Sequence, residues 1–188
     1  MNSYKLKGIL PAVRNMKDFD LVLKSEHEII VLLETRLSQV TSLVKHAKDN
    51  DKKVLIHLDL VQGLKTDSFG FEFLLRNVKP DGVISTRGNM ISLAKKNKLI
   101  AIQRLFALDS HALKRNIDII ENSKPNYVEV LPGVVPYIIH EIGDKTDIPV
   151  IAGGLIRTKE EIKKAYKGGA IAVTTSNTEL WGTYERFK

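Results

Sequence analysis

Eight short apolar runs alternate with helical patterns along the 188 residues of this chain, and this alternation is the strongest constraint on its fold. Several runs are apolar on both alternating faces, as expected for parallel strands that helices cover. Eight β/α units without a linker between them predict one domain over residues 1–188, folded as a compact (β/α)8 TIM barrel. The predicted strands are Gly8–Ala12, Ile29–Leu33, Val54–Leu58, Gly82–Ser85, Ile100–Gln103, Tyr127–Val130, Val150–Ala152 and Ala170–Thr174.

Three signals predict where helices begin. Asp109 is a predicted N-cap ahead of an amphipathic stretch. Thr158 with Glu161, and Ser176 with Glu179, have the spacing of capping boxes. Because barrels of this kind usually need about 200 residues, we expect some helices to be abbreviated.

Composition excludes several classes of protein. The chain contains no cysteine, which excludes a disulfide framework, a thiolate metal site and a cysteine nucleophile. No secretory signal is apparent, and no apolar run reaches the roughly 18 residues that suggest a membrane span, so we expect a cytoplasmic protein without membrane contact. The formal net charge of +7 is compatible with a polyanionic partner such as RNA, although a lysine-rich solvated surface explains it more simply.

Two consecutive strand-to-helix turns near the C-terminus predict a phosphate site. Each turn leads from apolar residues into small or hydroxylated ones, the pattern that forms the phosphate cup of many (β/α)8 barrels. Glycine lets the backbone approach an anion, and free N–H groups at a helix start complete the cup. Tight packing at the barrel rim is the alternative explanation of the glycine pair, and helix capping that of the serine. The predicted phosphate-binding residues are Gly153, Gly154, Thr175, Ser176 and Asn177.

Polar residues also stand at the ends of nearly all the remaining predicted strands, which is where the functional groups of this fold lie. Because ionised carboxylates accept hydrogen bonds from hydroxyl groups, carboxylates beside an anion cup would suit a phosphorylated polyol. For the charged members that follow the third to sixth strands, the alternative is a ring of ion pairs that closes the barrel mouth. The predicted polar pocket consists of Arg14, Glu34, Asp59, Arg87, Gln103, Arg104, Glu129 and Arg157.

His57 and Asp59 share one face of a strand at positions i and i+2. An acid/base pair or two metal ligands would fit this spacing. A hydrogen-bonded core histidine is the favoured interpretation, because no second histidine cluster supports a metal site, and no metal is expected. The aromatic residues Trp181, Tyr184 and Phe187 are assigned to packing or to a subunit contact.

Seven segments together resemble the glycerol uptake operon antiterminator family, and the resemblance covers nearly the whole chain. The combination of Gln-Arg-Leu-Phe with Glu-Val-Leu-Pro-Gly is specific to it, whereas Ala-Gly-Gly alone is shared by many phosphate-binding barrels. The segments are Ile9–Met16, His57–Gly63, Val83–Arg87, Ala101–Phe106, Val128–Gly133, Ala152–Thr158 and Ala172–Thr178.

This resemblance implies a non-catalytic transcription regulator, without catalytic residues or a further cofactor, whose effector is glycerol 3-phosphate. When loaded, such proteins bind the leader mRNA of glycerol-utilisation genes, prevent formation of a terminator hairpin and stabilise the message. Lys and Arg side chains would then neutralise RNA phosphates. The sequence selects no RNA-binding patch among its lysine clusters, and a homo-oligomer is compatible with it.

Two other functions remain open from the residues alone. A phosphosugar-processing enzyme of the isomerase or synthase type would use the same barrel, with strand-end carboxylates as bases. The predicted strands carry no lysine at their middle or C-terminal end, which argues against Schiff-base chemistry. A sensor that acts through a protein partner is the third reading. In a sensor, the long connection 61–68 is the predicted moving part, and a change in oligomeric packing is the alternative.

Overall fold

The structure is a computed structural model that describes the backbone of residues 5–186 and the side chains of residues 5–182. Tyr184 and Phe187, two of the three aromatic residues assigned to packing, therefore lie outside the described side chains. Eight parallel strands form a closed barrel in which each strand pairs with the next and the eighth pairs with the first. The strands are β1 (Gly8–Val13), β2 (Ile29–Leu32), β3 (Lys53–His57), β4 (Gly82–Ser85), β5 (Ile100–Phe106), β6 (Tyr127–Leu131), β7 (Val150–Gly153) and β8 (Ala172–Thr175).

Seven helices follow the first seven strands and cover the barrel. The third is extended by a π-helical turn, Leu74–Val78, and a 3-10 helix, Thr178–Arg186, follows the last strand. The described architecture confirms the predicted compact (β/α)8 barrel, including its abbreviated helices. These helices are α1 (Met16–Leu23), α2 (Leu37–Asp49), α3 (Ser68–Phe73), α4 (Gly88–Lys96), α5 (Ser110–Ser123), α6 (Pro136–Thr146) and α7 (Lys159–Lys167).

The predicted strands agree with the observed ones to within one or two residues, except at the end of β5. That strand was predicted to end at Gln103 and continues to Phe106, because it stays paired with β6 as far as Leu131. The extension carries Arg104 along a regular strand, so that its side chain alternates with those of its neighbours across the barrel wall.

Buried apolar residues form two groups, one on each side of the barrel wall. The larger group lies between the strands and the helices. The smaller group fills the barrel interior and includes Leu10, Val31, Leu55 and Ile102. Because side chains alternate across a strand, these inward residues identify which later residues of the same strands face the interior near the mouth.

Two of the three predicted helix starts are confirmed. Asp109 accepts a hydrogen bond from the Ala112 N–H, and Thr158 with Glu161 forms a complete capping box. The Ser176 prediction is wrong, since the side-chain oxygen of Asn177 accepts the Glu179 N–H at 3.2 Å.

The connection 61–68 is tied to the barrel mouth at its start. Val61–Gln62 pairs in parallel with Thr35–Arg36 in a separate two-stranded sheet. At its end, the Asp67 side chain caps α3 by accepting the Gly70 N–H at 2.9 Å. The stretch between these two anchors, residues 63–66, lies outside regular helices and strands. Its movement on ligand binding stays a prediction.

Candidate functional site

A buried network of charged and hydroxyl groups lies inside the barrel, just below its mouth. Glu129 of β6 is 1% exposed; its Oε2 accepts the Arg104 Nε–H at 2.7 Å, and its Oε1 accepts the Thr174 hydroxyl at 2.6 Å. A carboxylate buried this deeply requires such partners, because an unpaired charge is costly to remove from water. Glu129 is therefore occupied by its own protein neighbours.

Gly153 owes its identity to this network. A Cβ atom at this position would lie 2.6 Å from Thr174 Oγ1 and 2.7 Å from Glu129 Oε1. The close-packing explanation of this glycine therefore holds, since any side chain would collide with the hydrogen-bonded carboxylate. Packing and phosphate binding remain compatible here, because the next residues turn out of the barrel.

The chain turns sharply after β7. Gly154 and Leu155 adopt left-handed backbone angles, with φ of +74° and +59°, and Leu155 is 55% exposed although it is not a glycine. Because β7 and β8 pair through Gly153 and Thr174, this turn emerges beside the exposed Ser176. The two segments predicted to form the phosphate cup are thus adjacent at the mouth.

Thr175 and Asn177, however, are already engaged. The Thr175 hydroxyl donates to the Ile156 carbonyl at 3.0 Å and accepts the Asn177 N–H at 3.1 Å, and the Asn177 side-chain amide donates to the Arg157 carbonyl at 3.2 Å. These hydrogen bonds hold the two turns together, and a direct contact of either residue with phosphate stays a prediction. The Trp181 indole N–H donates to the Thr175 carbonyl at 2.9 Å, which confirms its packing role.

Asp59 has a similar structural role at the end of β3. Its carboxylate accepts hydrogen bonds from the Ser85 hydroxyl at 2.8 Å, and from the Thr86 N–H at 2.7 Å and hydroxyl at 3.1 Å. The exposed Arg87 approaches it to 3.8 Å. The ion-pair alternative therefore describes these charges in part: Arg87 with Asp59 and Arg104 with Glu129 form two separate pairs, without a continuous ring.

Gln103 does not face the pocket. It lies on β5 between Ile102 and Arg104, which face the barrel interior. Its side-chain amide donates to the carbonyls of Ser85 and Arg104, and its side-chain oxygen accepts the Ser123 hydroxyl of α5 at 3.5 Å. The prediction placed it in the pocket because it is polar and near a strand end. The strand pleat turns it outward against α5, where it satisfies buried polar groups.

The remaining predicted residues are exposed at the mouth. Arg157 lies on the turn after β7, and Arg14 and Glu34 line an open cavity of about 330 Å³. The other lining residues, which sequence reasoning missed, are Thr35, Arg36, Gln39 and Gln62. The sequence could have identified two of them, because Thr35 and Arg36 directly follow Glu34 beyond a predicted strand end.

His57 contradicts the prediction of a hydrogen-bonded core histidine. It is 2% exposed, and neither ring nitrogen has a hydrogen-bond partner among the residues that the structure describes. Burial, together with the nearby positive charge of Arg104, lowers the pKa of its imidazole to about 4. The ring is therefore neutral at physiological pH.

Metal-binding clusters and membrane-spanning helices are both absent from the described part of the chain. Residues 5–182, whose side chains are described, contain no cluster of three or more His, Asp or Glu side chains that could hold a metal ion. Within the same range, no helix has the length and apolar character needed to cross a membrane.

Comparison with known proteins gives a consistent set of matches. A family model described as glycerol-3-phosphate responsive antiterminator matches residues 9–181. The crystal structure of a glycerol uptake operon antiterminator regulatory protein from Listeria monocytogenes is 46% identical, with a TM-score of 0.92, and the match covers 96% of this chain and 97% of that one. A glycerol uptake operon antiterminator-related protein from Thermotoga maritima is 33% identical, with a TM-score of 0.84 and coverage of 95% and 99%.

Two other similarities say less about function. The Escherichia coli protein YgcP, described as uncharacterized, is 32% identical over 174 residues, which are 92% of this chain and 91% of that protein. A deoxyribose phosphate aldolase from Aeropyrum pernix is 13% identical with a TM-score of 0.71, covering 96% of this chain and 90% of that one. At this identity the likeness shows the shared barrel fold alone.

The contacts of Gly153 predict that Gly153→Ala destabilises the protein by about 1 to 3 kcal/mol, because the methyl group must displace the Glu129–Thr174 hydrogen bond. Urea unfolding followed by circular dichroism measures this difference. Gly143→Ala in α6 is the control: its Cβ would lie 3.7 Å from Val150, so we expect it to be neutral or stabilising by up to about 1 kcal/mol. Equal stability of the two variants would contradict the packing argument.

Proposed function

This chain belongs to the glycerol-3-phosphate responsive antiterminator family, and from this premise we propose that it senses glycerol 3-phosphate and, when loaded, binds the leader mRNA of glycerol-utilisation genes. Binding prevents a terminator hairpin from forming and stabilises the message. The observation that carries the effector site is the pair of adjacent turns after β7 and β8, set above a buried Arg104–Glu129 pair at the barrel mouth.

In this proposal the effector's phosphate lies against the backbone of Gly154 and the hydroxyl of Ser176. The positive φ of Gly154 turns the backbone outward, and Ser176 is exposed beside it, so an anion can approach both. The exposed Arg14 and Arg157 supply balancing charge at the same edge. Thr175 and Asn177 support the site indirectly, since their hydrogen bonds hold the two turns together.

A sensor fits the polar groups of the mouth better than an enzyme. Within the eight described strands the one lysine is Lys53, at the amino end of β3, away from the mouth. A Schiff-base mechanism would need a lysine at the opposite end. Of the three strand-end carboxylates, Glu129 and Asp59 already accept hydrogen bonds from their protein neighbours, and the exposed Glu34 is the one left as a candidate base for an enzyme. The phosphosugar isomerase or synthase is therefore the second candidate, and incubation with triose phosphates should give no product.

We assign the RNA to the rim that surrounds the effector site. Among the described residues, eight of the nine exposed large apolar side chains lie at the carboxyl end of a barrel strand or in the segment that follows it, and four exposed arginines lie at the same edge. Arginines beside exposed aromatic rings suit single-stranded RNA, since guanidinium groups bind phosphates and rings stack on bases. The apolar residues are Met16, Leu60, Phe69, Phe106, Leu108, Val135, Tyr137 and Leu155. The arginines are Arg14, Arg36, Arg87 and Arg157.

A groove between α5 and α6 adds to this assignment. Its volume is about 730 Å³, and Leu108 and Tyr137 line it together with Lys114. Lys145 also lines it, but its ammonium group is paired with Glu141 at 2.6 Å, so Lys114 is the cation that the groove offers to RNA. Tyr137 is 70% exposed, so its ring is accessible to a base. The lysine cluster on and after α2 is a weaker candidate: Lys48 donates to the Lys79 carbonyl and Lys52 to the Ser25 carbonyl, so both ammonium groups are engaged within the protein.

Effector and RNA are then coupled over a short distance. A ligand shifts a conformational equilibrium only by its difference in affinity for the two states. With the phosphate between the turns after β7 and β8, Arg157 and Leu155 are held in one arrangement, and both belong to the RNA-binding rim. The effector therefore stabilises the arrangement that RNA recognises.

Introducing a negative charge at Ser176 tests the phosphate site. Because Ser176 is exposed, Ser176→Asp should fold normally, and its carboxylate should repel the phosphate and weaken glycerol 3-phosphate binding at least tenfold. Isothermal titration calorimetry measures the affinity. Ser92→Asp, at an exposed serine in the middle of α4, is the matched control and should bind as wild type does. Equal affinities would place the phosphate elsewhere.

An electrophoretic shift assay with the leader RNA tests the function as a whole. We expect glycerol 3-phosphate to tighten RNA binding, and the logarithm of the affinity to fall by about 0.7 per log unit of salt for each neutralised single-strand phosphate. An RNA affinity that does not respond to the effector would favour a sensor with a protein partner. Efficient turnover of a triose phosphate would favour the enzyme.

Removing one rim aromatic tests the RNA surface. Tyr137→Ala should weaken RNA binding about 5- to 100-fold, the range of one lost base–ring stack, and leave glycerol 3-phosphate affinity unchanged. Leu21→Ala is the control, because Leu21 is 49% exposed and lies on α1, away from the mouth. If both variants bind RNA as wild type does, the rim is not the RNA surface.

A further inference from the structure

We infer that His57 is a ligand-binding residue, whose imidazole exchanges hydrogen bonds with a hydroxyl group of the polyol phosphate that enters the barrel mouth. This inference rests on the proposed function for the ligand's identity. It adds a residue that recognises the glycerol part of the molecule, below the turns that hold the phosphate.

The first argument is the unsatisfied hydrogen-bonding capacity of His57. Buried polar side chains almost always have hydrogen-bond partners, and an exception calls for an explanation. Here both ring nitrogens, Nδ1 and Nε2, lack a partner among the described residues, although the side chain is 98% removed from solvent. An apolar side chain of similar volume would fill the same space without this penalty. Ligand binding accounts for retaining an imidazole here.

The second argument is the position of the ring. His57 is the last residue of β3 and faces the barrel interior, since Leu55, two residues earlier, belongs to the interior cluster. The inward residues nearest the mouth on β1 and β7 are Ala12 and Gly153, which are small. The imidazole thus lies in the upper interior of the barrel, on the same side of the barrel wall as Arg104, Glu129 and Thr174.

The third argument is that the charged residues around His57 already form hydrogen bonds within the protein, whereas the His57 ring has no partner among the described residues. Arg104, Glu129 and Asp59 all lie close enough to His57 to act on its charge. Both carboxylates already accept hydrogen bonds from protein donors, two at Glu129 and three at Asp59, which leaves each with less capacity for a ligand hydroxyl than a free carboxylate has. Arg104 is held in place through its Nε, which fixes the position of its guanidinium group. Of these polar groups, His57 is the one with both a donor and an acceptor to offer.

A hydroxyl group is the partner that fits a neutral imidazole. One ring nitrogen then donates and the other accepts, and an alcohol can do the reverse at each. A phosphate dianion would favour a charged imidazolium, which this environment disfavours. The polyol part of the effector is therefore assigned to His57, and the phosphate to the rim.

Calorimetric titration of two probes tests the assignment. Glycerol 3-phosphate carries both hydroxyls and phosphate, whereas inorganic phosphate lacks the polyol. We expect His57→Leu to weaken glycerol 3-phosphate binding about tenfold, as for one lost hydrogen bond, and to change phosphate binding less than twofold. His57→Gln should recover part of the affinity, because an amide also donates and accepts. His111→Gln, at an exposed histidine of α5, is the control and should bind as wild type does.

The thermal midpoint of the unliganded variants separates binding from a structural role. Because His57 lacks protein partners, His57→Leu should unfold at the wild-type temperature or above it. A lower midpoint with equal losses for both probes would instead indicate a structural histidine and overturn the inference. An unchanged glycerol 3-phosphate affinity in the folded variant would overturn it as well.

A measurement on the wild-type protein decides the case if the variants fail to fold. In ¹⁵N-histidine NMR spectra, the His57 ring resonances should move when glycerol 3-phosphate is added and stay in place with inorganic phosphate. If the His57 resonances move with neither probe, the inference is overturned. If calorimetry nevertheless shows that glycerol 3-phosphate binds, the proposed function still holds. A wild-type protein that binds no glycerol 3-phosphate would overturn both.

Discussion

The pairing of one buried carboxylate, Glu129, determines how the mouth of this barrel is built. The side chain cannot be solvated, so it must receive hydrogen bonds from inside the protein, and it does so from Arg104 on β5 and Thr174 on β8. Accommodating these partners leaves no room for a Cβ on β7, so Gly153 is required at that position. The charge of Glu129 on β6 therefore determines which residues can stand at three positions on other strands, β5, β7 and β8.

This arrangement separates the polar groups of the mouth into two sets. Glu129, Asp59, Thr175 and Asn177 accept or donate hydrogen bonds within the protein and hold strands and turns in position. The groups left for other molecules include the exposed arginines, Glu34 and Ser176 on the rim, the Thr35 hydroxyl in the mouth cavity, and His57 in the interior. A rigid interior with free groups above it suits a receptor, because the protein loses little conformational entropy when the ligand binds.

The sequence was sufficient for the fold, because each strand and most helix starts depend on neighbouring residues. Alternating apolar runs located all eight strands, and local capping signals located Asp109 and Thr158. For the site, the sequence predicted which polar residues stand at strand ends, but it could not predict the hydrogen-bond partner of each side chain. Glu129 and Thr174 are 45 residues apart, and whether a carboxylate faces a ligand or a threonine depends on strand register. Gln103 was misplaced for a related reason: the predicted strand ended at that residue, so its alternation with Arg104 was not applied.

The same geometry favours ligand binding over catalysis by a general base. A general base needs a lone pair that is free to take a proton and a pKa near the working pH. Glu129 is 1% exposed and both of its oxygens already accept a hydrogen bond, and the imidazole of His57, with a pKa of about 4, is a weak base. Such groups can still discriminate a ligand by its hydroxyls. Because the ring of arginines and exposed apolar residues begins within the turns that would hold the phosphate, ligand occupancy can be transmitted to a second partner without a conformational path through the core.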